Sequence, residues 1–319
     1  MYLLSFTDVN FFNNSLHRIR ELDFPDFICN WLCSFLTGRT HCTKWGGSAS
    51  CSQQFNAGVV QGSAVGPAAY ILYASELQPK YASNKLFKYA DDSYLLVPAS
   101  SVHTVPDEME NISKWSEKYN VKLNISKCKE MIVPSPYPSV RSTLPPSGMV
   151  VGIDRVKSLV ILGVNITDRL TMHEHLDDLT TAANQTMFAL RTLKRSGLCD
   201  EALWAVCRAT LVAKIVYGSS AWWGFANKSQ TDVIEGLLRR ANKWGLYPSS
   251  GPTILSLVQK SDHLLFKKVL ANSYHVMHTL LPPIKTTSYN LRPRIHDRVL
   301  PLKTTSLAKK ILHRMLYAQ

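Results

Sequence analysis

Two adjacent aspartates, Asp91 and Asp92, interrupt an apolar stretch whose alternation otherwise predicts a β-hairpin. The apolar residues around them are Leu86, Phe87, Tyr89, Tyr94, Leu95, Leu96 and Val97. Neighbouring carboxylates repel each other, and burying them is costly unless water or a cation meets them. A tight turn would hold both at one apex, where they can bind Mg²⁺ (or Mn²⁺) against substrate phosphates. The alternative is an ordinary turn, because aspartate favours turns by itself.

A glycine-rich segment precedes this acidic pair. Residues 58–67 read Gly-Val-Val-Gln-Gly-Ser-Ala-Val-Gly-Pro. Glycines let a backbone approach a ligand closely, and Gln61 beside Gly62 can both donate and accept hydrogen bonds. Pro67 predicts the first turn of a helix, whose free N–H groups also suit an anionic ligand. The glycine segment alone is a weak signal, but its combination with Tyr-Ala-Asp-Asp at this spacing is specific.

Together these motifs resemble the reverse transcriptase of LINE-type, jockey-like non-LTR retrotransposons. Residues 58–67 are similar to motif B of that family, and residues 89–92 are similar to its metal-binding motif C. Trp115 and residues 123–129 resemble motif D, residues 161–164 resemble motif E (the primer grip), and residues 171–245 resemble the helical thumb. The resemblance covers almost the whole chain.

The resemblance implies RNA-directed DNA synthesis, in which two Mg²⁺ ions align a primer 3′-hydroxyl with a dNTP. Asp91 and Asp92 match the metal-binding pair, with Asp91 the more direct ligand, and Lys127 matches a lysine that assists departure of pyrophosphate. The positions that match contacts to substrate, template or primer are Gln61, Gly62, Tyr89, Leu162 and Gly163. The implied partners are an RNA template, a DNA primer in an RNA–DNA hybrid, and dNTP.

The chain departs from the family at motif A, which carries the first catalytic aspartate. That motif should precede a Trp-x-x-Ser-Phe-Leu-x-Gly-Arg segment, which is present as residues 31–39. An ungapped count places Tyr2 at the first acid and Asp8 at the second, whereas a shifted alignment places Ser5 at the first. Asp8 is therefore a weak candidate ligand, and the third metal carboxylate is missing in either alignment. We expect a truncated or decayed copy that lacks the fingers and an endonuclease and is inactive.

The predicted fold class is α+β. A partial reverse-transcriptase palm, an antiparallel sheet with packed helices, is expected over residues 1–167, followed by an all-α thumb over 168–248 and a basic helical extension over 249–319. A proline-rich run between residues 134 and 146 predicts a loop or boundary. Motif A is degraded in this layout.

Helix boundaries in the second half follow from capping and periodicity. Thr171 and Glu174 form a candidate capping box at the start of one helix. Later helices are predicted from Asp200 to Ile215, from about Asp232 to Trp244, and from about Ile254 to Leu281.

The charge is concentrated in the second half. Of 36 Lys and Arg against 23 Asp and Glu, residues 1–150 hold 13 basic and 12 acidic side chains, and residues 151–319 hold 23 and 11. A cation-rich half indicates a polyanionic partner such as nucleic acid, and Arg239, Arg240 and Lys243 are candidate phosphate contacts. A non-catalytic nucleic-acid-binding remnant is therefore the alternative function.

The remaining composition predicts an intracellular protein of the nucleus or cytoplasm. No apolar run reaches the length of a membrane span, and residues 1–8 lack the features of a signal peptide. The seven cysteines are odd in number and contain no C-x-x-C pair, so reduced thiols in a reducing compartment are expected.

Overall fold

The structure is a computed structural model that describes residues 1–8, 24–54, 62–119, 121–135, 150–285, 296–302 and 310–318. Gln61 and the proline-rich run beyond residue 135 lie outside these ranges. The chain forms two compact units, Met1–Lys157 and Ser158–Gln319. Both helices and strands are present, as the α+β prediction requires.

A six-stranded, mostly antiparallel sheet is the framework of the first unit. Its main path runs β10-β9-β1-β7-β6, and β8 pairs with the far end of β1. The strands of this unit are β1 (Tyr2–Asp8), β2 (Thr40–His41), β3 (Lys44–Trp45), β4 (Ser48–Ala49), β5 (Gln53–Gln54), β6 (Lys85–Tyr89), β7 (Asp92–Leu96), β8 (Val121–Leu123), β9 (Lys129–Glu130) and β10 (Asp154–Arg155). The short strands β2 to β5 form a separate hairpin.

Helices in this unit are α1 (Asp26–Leu36), α2 (Val65–Ala74) and α3 (Val105–Lys118), with 3₁₀ turns at Ala99–Thr104 and Ile125–Lys127. A proline and two acids in the first turn of α3 suit a helix N-terminus. α2 and α3 share one core with β1 and β7, which includes the buried residues Leu4, Tyr73, Leu95, Ile112 and Trp115. Each such side chain stabilises the fold by about 1.5–3 kcal/mol.

The second unit joins one hairpin to a set of helices. The hairpin consists of β11 (Ser158–Ile161) and β12 (Val164–Thr167). The helices are α4 (His173–Arg195), α5 (Asp200–Cys207), α6 (Ala213–Val216), α7 (Ser219–Trp222), α8 (Lys228–Lys243), α9 (Ile254–Ala271) and α10 (Ile311–Leu316). A π-helical turn, Arg208–Val212, makes α5 and α6 continuous, which agrees with the predicted helix from Asp200 to Ile215.

The capping box predicted at Thr171 and Glu174 is wrong. α4 begins at His173, and its N-terminus has no side-chain cap. Thr171 instead bonds the Thr167 hydroxyl at 2.8 Å, and Glu174 accepts from the Asn165 side chain at 3.3 Å. Polar groups of strand β12 thus compete for the side chains that would have capped the helix.

Two other helix boundaries also differ from the predictions. α8 begins at Lys228 because Asn227 and Gln230 form a reciprocal capping box, four residues before the predicted start at Asp232. α9 ends at Ala271, well before Leu281. The Asn272 side chain accepts from the Tyr274 N–H at 2.9 Å, a local turn that competes with continuation of the helix.

One helical stretch among the described residues, Asp200–Phe225, is long and apolar enough to cross a membrane by length and composition. The same pattern is typical of a central core helix. Here Leu203, Cys207, Leu211 and Ile215 are fully buried in the core of the second unit. About 33% of its most apolar window is buried inside the protein.

Candidate functional site

Asp91 and Asp92 lie at the apex of the hairpin formed by β6 and β7, as predicted. Tyr89 pairs with Asp92, which leaves Ala90 and Asp91 as a two-residue turn. Ala90 adopts a φ of +47°, the left-handed conformation that such a tight turn requires. Asp91 is exposed and Asp92 is half-buried, with the Tyr94 hydroxyl 3.4 Å from Asp92 Oδ2. Both carboxylates are open to a ligand.

Strand β1 lies beside this hairpin and places a serine opposite the acidic pair. In the antiparallel register of β1 and β7, Ser5 is the partner of Asp92. Tyr2 pairs with Leu95 and donates its hydroxyl to Glu130 at 2.6 Å. Asp8 lies three residues beyond Ser5, where β1 pairs with β8. Of the three motif A candidates, Ser5 is the one whose backbone is paired with the hairpin apex.

A lysine that the sequence analysis missed connects the hairpin to α2. Lys88 Nζ donates to the carbonyl oxygens of Ala74 at 2.6 Å and Leu77 at 2.7 Å, at the C-terminal end of the helix. Burial lowers the pKa of Lys88. The alternation of β6 could have predicted this position, because it places Lys88 on the same face as the half-buried Leu86. Phe87 and Tyr89 are on the opposite, exposed face.

The described part of the glycine-rich segment begins at Gly62. This residue is exposed and adopts a φ of +80°, a conformation that other residues rarely take. The Ser63 hydroxyl accepts from the Gly66 N–H at 2.9 Å, at the start of α2. Pro67 lies in the first turn of this helix, as predicted.

Lys127 lies on the other side of β1 from the acidic hairpin. It ends the 3₁₀ turn Ile125–Lys127 after β8, and its side chain is exposed. Asn124, which precedes the turn, donates its N–H to Ser5 O at 2.8 Å. Ser5 therefore pairs with the acidic hairpin on one side of β1 and bonds the residue before the Lys127 turn on the other.

Leu162 and Gly163 form the two-residue turn between β11 and β12 in the second unit. Their φ angles are +48° and +82°. The Tyr217 hydroxyl donates to Leu162 O at 3.1 Å, and the Tyr217 ring lies against Gly163. Trp222 Nε1 in turn donates to Tyr217 O at 3.0 Å, so the turn is held by a buried aromatic anchor.

Arg239, Arg240 and Lys243 are exposed at the C-terminal part of α8. Arg240 donates to Asn184 Oδ1 on α4 at 3.2 Å. Two cations of α4 also reach this end of α8: the Arg191 guanidinium lies 4.7 Å from the Trp244 ring centroid, and Lys194 donates to Trp244 O at 2.9 Å. No local sequence pattern distinguishes Arg191 or Lys194, because only tertiary packing brings them to α8.

The donor chemistry of Asp91 and Asp92 fits a hard cation, since carboxylate oxygens are the ligands that Mg²⁺ prefers. In the part of the chain that the structure describes, no group of three or more His, Cys, Asp or Glu side chains is arranged to hold a metal ion. Within those ranges the site therefore consists of a pair of carboxylates.

A family model described as reverse transcriptase (RNA-dependent DNA polymerase) matches residues 5–166, which include the acidic hairpin, Ser5 and the Lys127 turn. The chain belongs to this family. Its relatives are proteins of non-LTR retrotransposons, in agreement with the resemblance seen in the sequence.

Three relatives from Drosophila melanogaster give the extent of this similarity. The probable RNA-directed DNA polymerase from transposon X-element is 29% identical over 65% of this chain and 23% of its own length. The corresponding protein from transposon BS is 27% identical over 71% and 26%. The RNA-directed DNA polymerase from mobile element jockey is 24% identical over 69% and 25%. This chain thus spans about a quarter of the length of these relatives.

Proposed function

We propose that the chain carries the RNA-directed DNA polymerase domain of a jockey-like non-LTR retrotransposon, whose reaction adds dNTPs to a primer 3′-hydroxyl on an RNA template. The observation that carries this proposal is the paired Asp91 and Asp92 at the apex of a hairpin beside β1, within the family match. We retain the predicted layout of palm, thumb and basic extension, with boundaries after residues 167 and 248, as part of the proposal.

Asp91 and Asp92 would hold Mg²⁺ (or Mn²⁺) in this reaction. The bound cation would supply positive charge that activates the primer hydroxyl and stabilises the departing pyrophosphate. Lys127, exposed at the end of its turn, would give a proton to that leaving group. Gln61, Gly62 and Tyr89 would contact the dNTP and template. Leu162 and Gly163 would hold the primer end.

Residue 5 is a serine at the position where the proposed reaction needs a third metal-binding carboxylate. A serine hydroxyl has no negative charge, so the position opposite Asp92 cannot serve as a third carboxylate ligand. Loss of one metal carboxylate removes several kcal/mol of transition-state stabilisation. We therefore propose that this chain does not polymerise and that an acid at residue 5 would restore activity.

Primer extension tests both parts of the proposal. Purified full chain is incubated with poly(rA)/oligo(dT), dTTP and Mg²⁺, beside the variants Ser5→Asp and Ser5→Asn. The wild type and Ser5→Asn should give background incorporation, because neither adds a carboxylate. Ser5→Asp should give Mg²⁺-dependent incorporation that the further change Asp91→Ala abolishes.

Binding of Mn²⁺, followed by electron paramagnetic resonance, supplies a second measurement on the same proteins. Ser5→Asp should bind Mn²⁺ at least ten-fold more tightly than Ser5→Asn, because one more carboxylate faces the site. Wild-type incorporation that depends on Asp91 would show that the serine does not inactivate the chain. Equal Mn²⁺ affinity in the two variants would show that residue 5 does not belong to the site.

A basic surface would hold the template–primer duplex through its phosphates. The candidate residues are Arg239, Arg240 and Lys243 on α8, together with Arg191 and Lys194 of α4. Exposed cations on adjacent helices can follow a phosphate backbone and release its counterions.

A further inference from the structure

Two exposed free cysteines lie on opposite sides of the hairpin between α1 and α2: Cys42 between β2 and β3, and Cys51 between β4 and β5. The inner pairs of this hairpin are Trp45 with Ser48 and Lys44 with Ala49. One step further from the turn, the Ser50 N–H donates to Thr43 O at 2.9 Å. The next pair in this register is Cys42 with Cys51.

The spacing at this pair suits a covalent bond. Hydrogen-bonded and non-hydrogen-bonded pairs alternate along an antiparallel ladder. Thr43 and Ser50 share one backbone hydrogen bond, and the Thr43 N–H donates to the Ser50 hydroxyl at 3.0 Å. Continued in this register, Cys42 and Cys51 would form a non-hydrogen-bonded pair, a class of pair whose Cα atoms lie about 4.5 Å apart with side chains on one face. A disulfide requires a Cα separation of about 4.4–6.8 Å.

A change of register next to this pair adds local freedom. The outer strands pair His41 with Gln53 and Thr40 with Gln54, one residue out of step with the inner pairs. Two residues of the second side, Cys51 and Ser52, therefore stand opposite Cys42, which makes a bulge. A bulge increases the local twist of a strand, so the two thiols can adjust to disulfide geometry.

The other described cysteines lack this combination of exposure and an opposed partner. Cys128 and Cys207 are buried, and burial raises the pKa of both thiols, that of Cys207 to about 11. Cys29 and Cys33 are half-buried on α1, and Cys199 is exposed before α5 in the second unit.

We propose that Cys42 and Cys51 are a redox modification site, at which glutathione disulfide converts the two thiols into an intramolecular disulfide. One cysteine thiolate attacks glutathione disulfide, whose S–S bond breaks and releases one glutathione. The second cysteine thiolate attacks the mixed disulfide, forms the Cys42–Cys51 bond and releases the other glutathione. The protein loses two electrons and two protons, and both pass to the two glutathione molecules.

This disulfide would fix a hairpin that leads directly into the glycine-rich segment. Residues 43–50 would be closed into a short covalent loop, and fewer conformations would remain to the strands on either side. Because the hairpin is exposed, the bond would stay accessible to reduction, as regulatory disulfides are. The proposal does not depend on polymerase activity.

Trypsin provides a direct assay, because Lys44 separates the two cysteines. Cleavage gives peptides 40–44 and 45–80, which contain Cys42 and Cys51 as their respective single cysteines. Full-length protein is equilibrated with glutathione buffers of increasing oxidised fraction, free thiols are blocked with N-ethylmaleimide, and the digest is analysed by mass spectrometry. We expect the two peptides to become linked, and dithiothreitol to separate them.

Three variants decide the outcome. Cys199→Ser should leave the linkage unchanged, whereas Cys42→Ser and Cys51→Ser should each abolish it and leave a glutathione adduct on the remaining cysteine. A non-reducing gel should show the oxidised wild type as a monomer. The proposal fails if the wild type yields only glutathione adducts at every ratio, if Cys42 is linked to another cysteine, or if the linked peptides come only from dimers.

Discussion

At the scale of single residues, a buried carboxylate holds the loop that leads into the acidic hairpin. Glu108 on α3 is fully buried, and its two oxygens accept from the N–H groups of Lys80 and Tyr81 at 2.9 Å. The Asn84 side chain donates to it at 2.8 Å. Because β6 begins at the next residue, Glu108 positions the start of the strand that carries Tyr89.

Glu108→Gln should lower the free energy of unfolding by about 2–3 kcal/mol. A glutamine amide nitrogen cannot accept a hydrogen bond, so one of the two backbone N–H groups would lose its partner. Urea denaturation followed by circular dichroism measures the change. Glu117→Gln, at an exposed position of the same helix, should change the free energy of unfolding by less than about 0.5 kcal/mol. Equal effects of the two substitutions would contradict this role.

Glu130 makes stability depend on pH. Burial alone would raise its pKa, but the hydrogen bonds from Arg155 at 2.6 Å and Tyr2 at 2.6 Å lower it below the ordinary value of 4.5. A depressed pKa stabilises the fold above the pKa of the unfolded chain, and this contribution is lost as the pH falls through the folded value. The wild type should therefore have a higher free energy of unfolding than Glu130→Gln, and this difference should be largest at neutral pH.

Urea titrations at pH 7, 5 and 3 measure this difference. It should be about 1–3 kcal/mol at pH 7, where the substitution leaves Arg155 without its carboxylate, and should shrink towards pH 3. A difference that stays constant with pH would show that Glu130 contributes by packing rather than by its charge.

At the scale of elements, the turn between β11 and β12 depends on a glycine pressed against an aromatic ring. A Cβ added to Gly163 would lie 3.1 Å from Tyr217 Cε1, and φ is +82°. Gly197 has a similar φ of +86°, but no atom lies within 4 Å of its added Cβ. Both Gly163→Ala and Gly197→Ala should lower the free energy of unfolding by about 1–2 kcal/mol, because alanine is strained in the left-handed conformation. Gly163→Ala should lower it further, because its Cβ also meets the Tyr217 ring.

A double-mutant cycle isolates the contribution of the ring. Gly163→Ala is combined with Tyr217→Ala, and the free energy of unfolding of each protein is measured with urea. If the ring causes the additional cost, the two substitutions should be less than additive by at least about 0.5 kcal/mol. Additive effects, or equal costs at Gly163 and Gly197, would exclude the contact as the cause.

Local sequence patterns predict some elements of the fold but not the register between them. Apolar alternation identified the β6–β7 hairpin, and a glycine-proline signal identified the start of α2. The register of Ser5 with Asp92 joins residues far apart in the sequence, so no local pattern could distinguish Ser5 from Tyr2 as the neighbour of the acidic pair.

The start of α4 was predicted wrongly because the side chains of its expected cap have partners on another element. Thr171 and Glu174 match a capping box, but Thr167 and Asn165 of the adjacent strand bond them in the fold. The roles of Lys88, Arg191 and Lys194 likewise depend on carbonyl groups or rings supplied by other elements. Local sequence contains the residue types but not these tertiary partners.

At the scale of the whole molecule, the charge is divided between a nearly neutral first half and a strongly basic second half. The acidic pair lies in the first half, where a bound cation would offset its charge. The exposed cations of α8 lie in the second, where phosphates would be the counter-charge. Under the proposed function, the first unit would hold the cation and the second would contact the phosphates of the duplex.

Salt dependence tests whether α8 contributes to this contact. Replacing Arg239, Arg240 and Lys243 with Gln in the full chain should weaken binding to an RNA–DNA hybrid. The slope of log K against log salt should become shallower by about 2–3, since each phosphate contact contributes about 0.9.

The matched control replaces Lys114, Lys118 and Lys122, three exposed lysines of the first unit, with Gln and removes the same charge. Fluorescence anisotropy between 50 and 200 mM salt, roughly the range over which such contacts are lost, measures both slopes. Because Lys114 and Lys118 already pair with Glu110 and Glu76, the control should change the slope by less than about 1. Equal changes in both variants would mean that net charge alone, rather than the surface of α8, holds the duplex.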